Sequence, residues 1–248
     1  MKVAVILPAA GLGTRMGKTS VEAGPSRKQF LLLEGSPILV HTVRKFVACP
    51  RVGEIVVAVR VEDRDRVAEM LAQEFAVGKV RVVAGGDSRQ ESVENALRSL
   101  GPDYELVAVH DAVRPFIDLE TIDKVFDEAA ATGAAIVGVA ATDTVKRVTR
   151  GTDHVKIRET LPREKLVMAQ TPQVFRYELL KRAFEEARKD GFAGTDESSM
   201  VERLDVEVSV VPGSDRNIKI TKPTDMELAQ LFLHEEMTRQ LATKGTGE

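Results

Sequence analysis

Cysteine is nearly missing from this 248-residue chain: Cys49 is the one thiol, so no internal disulfide can form and Cys49 is expected to fill the core. Histidine is scarce as well, and its four scattered copies offer no zinc-ligand spacing. Neither sign of charge is in excess. Against 35 Lys and Arg stand 38 Asp and Glu, a net charge of −3, so no global field recruits nucleic acid or an anionic membrane. Local bases must then serve local purposes. Long hydrophobic runs are lacking too: none reaches membrane-spanning length, and MKVAVILPAAG enters the first expected strand with no charged n-region or cleavage site. These absences lead us to expect a cytoplasmic protein with no nucleic-acid and no membrane partner. The length suits one large domain or two small ones; we expect a single domain over residues 1–240 and a frayed tail at 241–248.

What the chain does contain is alternation. Val3 to Pro8 is a short apolar run, as in a strand buried on both faces of a parallel sheet. Pro37 to Cys49 carries Ile38, Leu39, Thr42, Val43 and Phe46 at helical spacing, and Glu54 to Arg60 is a β-branched run. Helix is expected at Glu62 to Phe75, strand at Lys79 to Ala84, helix at Ser88 to Leu100 and strand at Glu105 to His110. Leu119 to Thr132 repeats the helical pattern and Ala134 to Ala141 is another apolar strand. The fold class is therefore α/β, a Rossmann-like and mostly parallel sheet with helices on both faces.

Regularity breaks at Thr144 to Thr160. Two β-branched, charge-rich segments flank Arg150-Gly151-Thr152-Asp153, which is hairpin chemistry, and we expect an arm spanning about 144–170 that projects from the sheet. A lone hairpin is marginal in water, so the arm is expected to pack on a second subunit; an exposed hairpin without contacts is the alternative. From Arg176 the pattern returns to helix, Glu207 to Val211 reads as strand, and Pro223 opens a last helix with Met226, Ala229, Leu233 and Met237 inward.

The chemistry gathers after the strands. Beyond Pro8 the chain runs into a glycine loop, Ala9-Ala10-Gly11-Leu12-Gly13-Thr14-Arg15-Met16-Gly17, at the edge where open α/β sheets bind ligands. The dinucleotide fingerprint needs a third glycine where Met16 stands, and the P-loop pattern ending in Gly17-Lys18-Thr19 needs one where Leu12 stands; each misses by one residue. Gly85-Gly86-Asp87-Ser88-Arg89, His110-Asp111-Ala112-Val113-Arg114 and Asp143-Thr144 also follow strands, so they share one rim with Arg15 and Lys28. The rim suits phosphate and carries a carboxylate. Asp111 is placed to help hold Mg²⁺ directly or through water, or else to cap the following turn. His110 is expected to be a packed residue rather than a base.

At this point several segments fall into a known order. PAAGLGTRMG, Lys28-Gln29-Phe30, GGDSRQESV, VHDAVRPF, DTVKR, AQTPQVF, GTDESSMVE and NIKITKPTDMELA stand as in the 2-C-methyl-D-erythritol 4-phosphate cytidylyltransferases, and the chain resembles that family from Val3 to Leu233. The resemblance implies transfer of CMP from CTP to the phosphate of methylerythritol 4-phosphate, with release of pyrophosphate, in the non-mevalonate route to isoprenoid precursors. It implies Mg²⁺, and a homodimer formed through the arm. Attack by a phosphate oxygen on the α-phosphorus brings polyanions together, which calls for cations more than for a strong base.

By the same resemblance Arg15 and Lys28 are transition-state stabilisers, with Lys18 the alternative loop lysine, since Arg27 stands where many members carry proline. Ala9, Ala10, Gly11, Gly13, Gly86, Asp87, Ser92 and Asp111 would bind the nucleotide; Arg114, Thr144 and Thr171 the second substrate; Arg163 and Lys219 its phosphate, with Lys219 on a β-patterned segment, Ile218 to Ile220. Three alternatives stay open. A ribitol 5-phosphate cytidylyltransferase has similar loops, a dinucleotide-dependent oxidoreductase is disfavoured by Met16, and an inactive nucleotide-binding subunit is disfavoured by Arg15, Lys28 and Lys219 together.

Overall fold

In the computed structural model, which describes residues 1–11, 27–151 and 154–244 with side chains as far as 239, strand and helix alternate as the sequence patterns do. β1 (Val3–Pro8) leads to the two-residue strands β2 (Leu32–Leu33) and β3 (Ser36–Pro37), then α1 (Ile38–Val47), β4 (Val52–Val59), α2 (Arg64–Glu74), β5 (Val80–Ala84), α3 (Arg89–Ser99) and β6 (Leu106–Val109). After α4 (Leu119–Thr132) and β7 (Ala134–Ala140) come the hairpin strands β8 (Lys146–Arg150) and β9 (Val155–Thr160). The remainder is β10 (Val167–Arg176), α5 (Tyr177–Lys189), α6 (Glu197–Glu202), β11 (Ser209–Pro212) and α7 (Pro223–Lys244).

Strand order in the main sheet is β11-β7-β10-β6-β1-β4-β5. β1 pairs parallel with both β4 and β6, and its side chains alternate between two cores, as a strand's period of two requires. Val3, Val5 and Leu7 pack with α1, α2 and α4, while Ala4 and Ile6 face α3, α5 and α6. Helix ends are chemically marked. Ser88 and Glu91 form a reciprocal capping box on α3, Asp118 caps α4 through the Thr121 N–H, and Gly133 closes α4 at φ 96°. A smaller apolar cluster, including Leu33, Ile38, Val113, Phe116, Ile220 and Ala229, fastens α7 and the segment before it to the β6 side of the rim.

Four sequence expectations are corrected. The stretch from Val167 is a ten-residue strand, antiparallel to both β6 and β7, so the arm ends before 170. Pro172 falls where the pairing with β7 is interrupted between Ala169 and Gln173, a place that needs no proline N–H. A short helix at 197–202 was not anticipated. Ile218 to Ile220 belongs to no strand; its one ladder-like bond is Ile220 N–H to the Val113 carbonyl at 3.0 Å. Met237 is half exposed rather than inward.

The hairpin forms as expected, Lys146 opposite Thr160 and Arg150 opposite Val155, with every residue of both strands exposed. Thr152 and Asp153 of its expected turn lie outside the described residues. Among the described residues no helix is long and apolar enough to cross a membrane.

Candidate active site

The loops at the carboxyl edge of β1, β5 and β6 surround a cavity of about 330 Å³. One wall is main chain, where Ala9, Ala10 and Gly11 continue beyond β1. Gln29 pins this stretch: its buried amide nitrogen donates to the carbonyls of Ala9 at 2.6 Å and Gly11 at 3.3 Å. Lys28, the preceding residue, lines the cavity along with Arg60 from the end of β4.

The facing wall is the start of α3. A Cβ on Gly85 would meet Ser92 Oγ at 2.8 Å and one on Gly86 would meet the Glu91 side chain at 2.4 Å, so glycine is needed for the chain to turn this closely onto the helix. The Glu91 carboxylate accepts from the N–H groups of Asp87 and Ser88, at 2.8 and 3.1 Å. Ser92 Oγ accepts from the Gly86 N–H at 3.1 Å and donates to the Ser88 carbonyl at 2.8 Å. A pre-shaped helix start of this kind favours an anion through its dipole.

Asp111 is the buried carboxylate of the cavity. Its Oδ2 accepts from Lys219 Nζ at 2.9 Å and Arg114 Nε at 3.1 Å, and Oδ1 lies 3.5 Å from Arg89 Nε. Burial pushes this carboxyl up, but Lys219, then Arg89 and Arg114, outweigh it and hold Asp111 well below the usual carboxylate range. Arg89 is gripped from behind by Glu197, which is wholly buried and accepts from Nη1 at 2.6 Å and Nη2 at 3.0 Å. Burial lowers the Arg89 pKa; the Glu197 carboxylate, then Asp111, more than offset this and raise it above the ordinary value.

Behind Asp111 runs a directional relay. The Asp111 N–H donates to Thr171 Oγ1 at 3.0 Å, Thr171 Oγ1 lies 3.1 Å from His110 Nδ1, and His110 Nε2 lies 3.0 Å from the Arg114 carbonyl. A carbonyl only accepts, so Nε2 carries the proton and Nδ1 accepts from the threonine hydroxyl. His110 is fully buried, edge-on to Phe46 at 4.8 Å, and burial pushes its pKa down to about 4. It is neutral packing, not a base. Asn217 braces the same layer, donating to the Thr171 carbonyl at 2.9 Å while its own carbonyl accepts from Arg114 Nη1 at 2.6 Å.

Backbone wall, helix start and several cations around an ionised carboxylate make a site for a polyphosphate. Residues 3–235 match the family described as 2-C-methyl-D-erythritol 4-phosphate cytidylyltransferase. The chain belongs to this family. It is 80% identical over 240 residues to the 2-C-methyl-D-erythritol 4-phosphate cytidylyltransferase of Solibacter usitatus, covering 96% of this chain and 98% of the relative. The enzyme of the same name from Acidobacterium capsulatum is 52% identical, with 96% and 100% covered. Among solved structures, the 4-diphosphocytidyl-2C-methyl-D-erythritol synthase of Anaerococcus prevotii superposes with a TM-score of 0.80 at 29% identity, over 94% of this chain and 96% of that one. The Francisella tularensis cytidylyltransferase gives 0.77 at 32% identity, over 93% and 99%.

For this cytidylyltransferase family member, the residues expected from sequence fall into three groups. Ala9, Ala10, Gly11, Lys28, Gly86, Asp87, Ser92, Asp111 and Lys219 line the one cavity. Arg114 and Thr171 stand behind its wall, bonded to Asp111. Thr144 and Arg163 lie away from it: Thr144 is exposed at the entry to β8, and Arg163 Nη1 donates to the Thr142 carbonyl at 2.7 Å. Gly13, Arg15 and Lys18 lie outside the described residues. Cys49 is buried in the core, as expected.

Sequence reasoning missed Gln29, Arg60, Glu197 and Asn217 as contributors, and noted Arg89 without giving it a role. Glu197 and Arg89 are 108 residues apart, and nothing in the local pattern of either announces the other. For a metal, Asp111 and Asp87 are the carboxylates on the cavity wall, and among the described residues no cluster of three His, Cys, Asp or Glu exists. That donor set does not suit zinc. It fits Mg²⁺, which takes one or two carboxylates and completes its shell with water and substrate phosphates.

Proposed function

We propose that this chain transfers CMP from CTP to the phosphate of 2-C-methyl-D-erythritol 4-phosphate, releasing pyrophosphate and giving 4-diphosphocytidyl-2-C-methyl-D-erythritol. The observation that carries the reading is the convergence of Ala9 to Gly11, the start of α3, Lys28, Asp111 and Lys219 on one cavity in a chain of this family. Ala9, Ala10, Gly11 and Gly13 bind the nucleotide along the first loop, and Gly86, Asp87 and Ser92 hold the cytidine side. Arg15 and Lys28 stabilise the charge that builds on the transferring phosphorus. Lys219 positions the incoming phosphate from its place beside Asp111. Arg114 and Thr171 serve the second substrate by fixing Asp111 and its loop.

Asp111 would hold Mg²⁺ directly or through water, most of its shell being the CTP phosphates. Bound there, the ion neutralises triphosphate charge and favours departure of pyrophosphate.

The unit is a single nucleotidyltransferase domain over residues 1–240 that works as a homodimer through the hairpin. Val155 and Ile157 leave apolar surface on the arm, 56% and 65% exposed, and a free hairpin is marginal alone. Thr144 and Arg163 then act on the neighbouring subunit's second substrate. The setting is cytoplasmic, since both substrates are polyanions that cross no bilayer unaided.

The test is pyrophosphate release from CTP with Mg²⁺, methylerythritol 4-phosphate and ribitol 5-phosphate being offered in parallel. Release with the first alone, abolished in Arg15→Ala, is the expected result. Release with ribitol phosphate alone would reassign the acceptor, and silence with both would leave a nucleotide-binding subunit.

A further inference from the structure

Lys28 reaches the cavity from a chain segment that is tied down on both sides. Before it, Arg27 pairs through Nη1 with Asp63 and donates from Nη2 to Glu62 Oε1 at 3.2 Å. The Asp63 side chain is 9% exposed and also receives Arg66 Nη2 at 3.2 Å. After Lys28, Gln29 donates its buried amide to the carbonyls of Ala9 and Gly11, and the Phe30 ring lies under the Arg66 guanidinium at 4.5 Å. Residue 27 is thus fastened to the turn that follows β4 and residue 30 to the first turn of α2 beyond it, and residue 29 to the loop that follows β1. The two anchors are neighbours at one edge of the sheet, since Pro8 is paired with Ala58. Glu62 serves both sides, for the same Oε1 accepts from Nε of cavity-lining Arg60 at 2.8 Å.

We propose that Arg27, Asp63 and Gln29 are positioning residues for Lys28: a two-point clamp that fixes the backbone from which its ammonium meets the transferring phosphate. The inference rests on the reading of Lys28 as a transition-state stabiliser. A lysine stem is long and flexible, so ordering it at the moment of reaction costs conformational entropy; fixing the residues on either side lowers that cost. Misplacement by an ångström at a charged reaction centre costs up to about a hundredfold in rate.

The experiment is a kinetic double-mutant cycle on CMP transfer with Arg27→Leu, Lys28→Ala and both together. Arg27→Leu is expected to lower kcat about tenfold or more while KM for CTP stays within about twofold, Arg27→Lys to recover part of the loss, and Arg27→Leu to add nothing in the Lys28→Ala background. Arg27→Gln with Asp63→Asn, which leaves neither charge stranded, keeps the fold testable and is expected to show the same kcat loss at an unchanged melting temperature. Additive losses in the double variant, or a rise in KM at constant kcat, would overturn the clamp alone. Full turnover in Lys28→Ala would overturn the catalytic reading of the lysine and the clamp with it.

Discussion

Glu197 and Arg89 form a bidentate ion pair, 2.6 and 3.0 Å long, between a carboxylate with no solvent exposure and the first residue of the helix that walls the cavity. The pair fixes the start of α3 against the start of α6. Two further bonds lie beside it, from Gln90 to the Phe192 carbonyl at 3.2 Å and from the Gly194 N–H to Gln90 at 2.9 Å. Glu197 itself is held between Asp196 and Ser198, both bonded to Gln173 of β10.

Removing one partner strands a buried charge. Glu197→Ala is expected to cost about 3 kcal/mol in urea unfolding, and Glu197→Leu with Arg89→Met to recover most of it. Equal stability of the single and double variants would show that the pair contributes through packing alone.

Acid sensitivity follows from His110. Unfolded, it titrates at its ordinary 6.5; folded, at about 4. Between these values the unfolded chain binds more protons, so stability is full above 6.5 and drains as pH falls toward 4, by up to about 3 kcal/mol. Asp111 acts in the same direction lower down: its depressed carboxyl contributes stability above 3.8 that is lost as pH falls further. Denaturant unfolding across this range checks both, and His110→Asn is expected to flatten the upper slope.

Lys219 touches Asp111 from a segment with no strand pairing, so its replacement leaves the sheet intact. Lys219→Met is expected to lower kcat/KM for methylerythritol phosphate about a hundredfold, with a smaller change in KM for CTP. An equal effect on both substrates would place the lysine on the nucleotide instead.

The arm is tested by mixing. Ile157→Asp, which charges an apolar side chain that is 65% exposed, is expected to turn a dimer into a monomer in sedimentation and to lower activity. Inactive Arg163→Ala and Lys28→Ala subunits, refolded together, are expected to regain activity, because one site of each hybrid has both residues. No regain would place Arg163 outside the neighbour's site.

Most of the central sheet was legible because its parallel strands announce themselves: Val3 to Leu7 are apolar without a gap, and the structure buries all five on both faces. β10 was illegible because the position of Pro172 relative to a break in pairing depends on a neighbour, β7, that local pattern does not name. The cavity's glycines and Lys28 lie in loops readable from strand ends, whereas Gln29, Glu197 and Asn217 act through partners far away in the chain. Asn217 reaches Thr171 and Gln170 from some 46 residues on, a relation set by the fold and by no spacing rule.

Arg114 is fastened to the Asn217 carbonyl and Asp111 to Lys219, so the middle of the chain is finished by a segment close to its end. During synthesis the glycine loop, Lys28 and α3 leave the ribosome long before these last partners do. A chain stalled ahead of residue 217 lacks Asn217 and Lys219, the partners that hold Arg114, Thr171 and Asp111, so the cavity is completed only once the segment before α7 has been made.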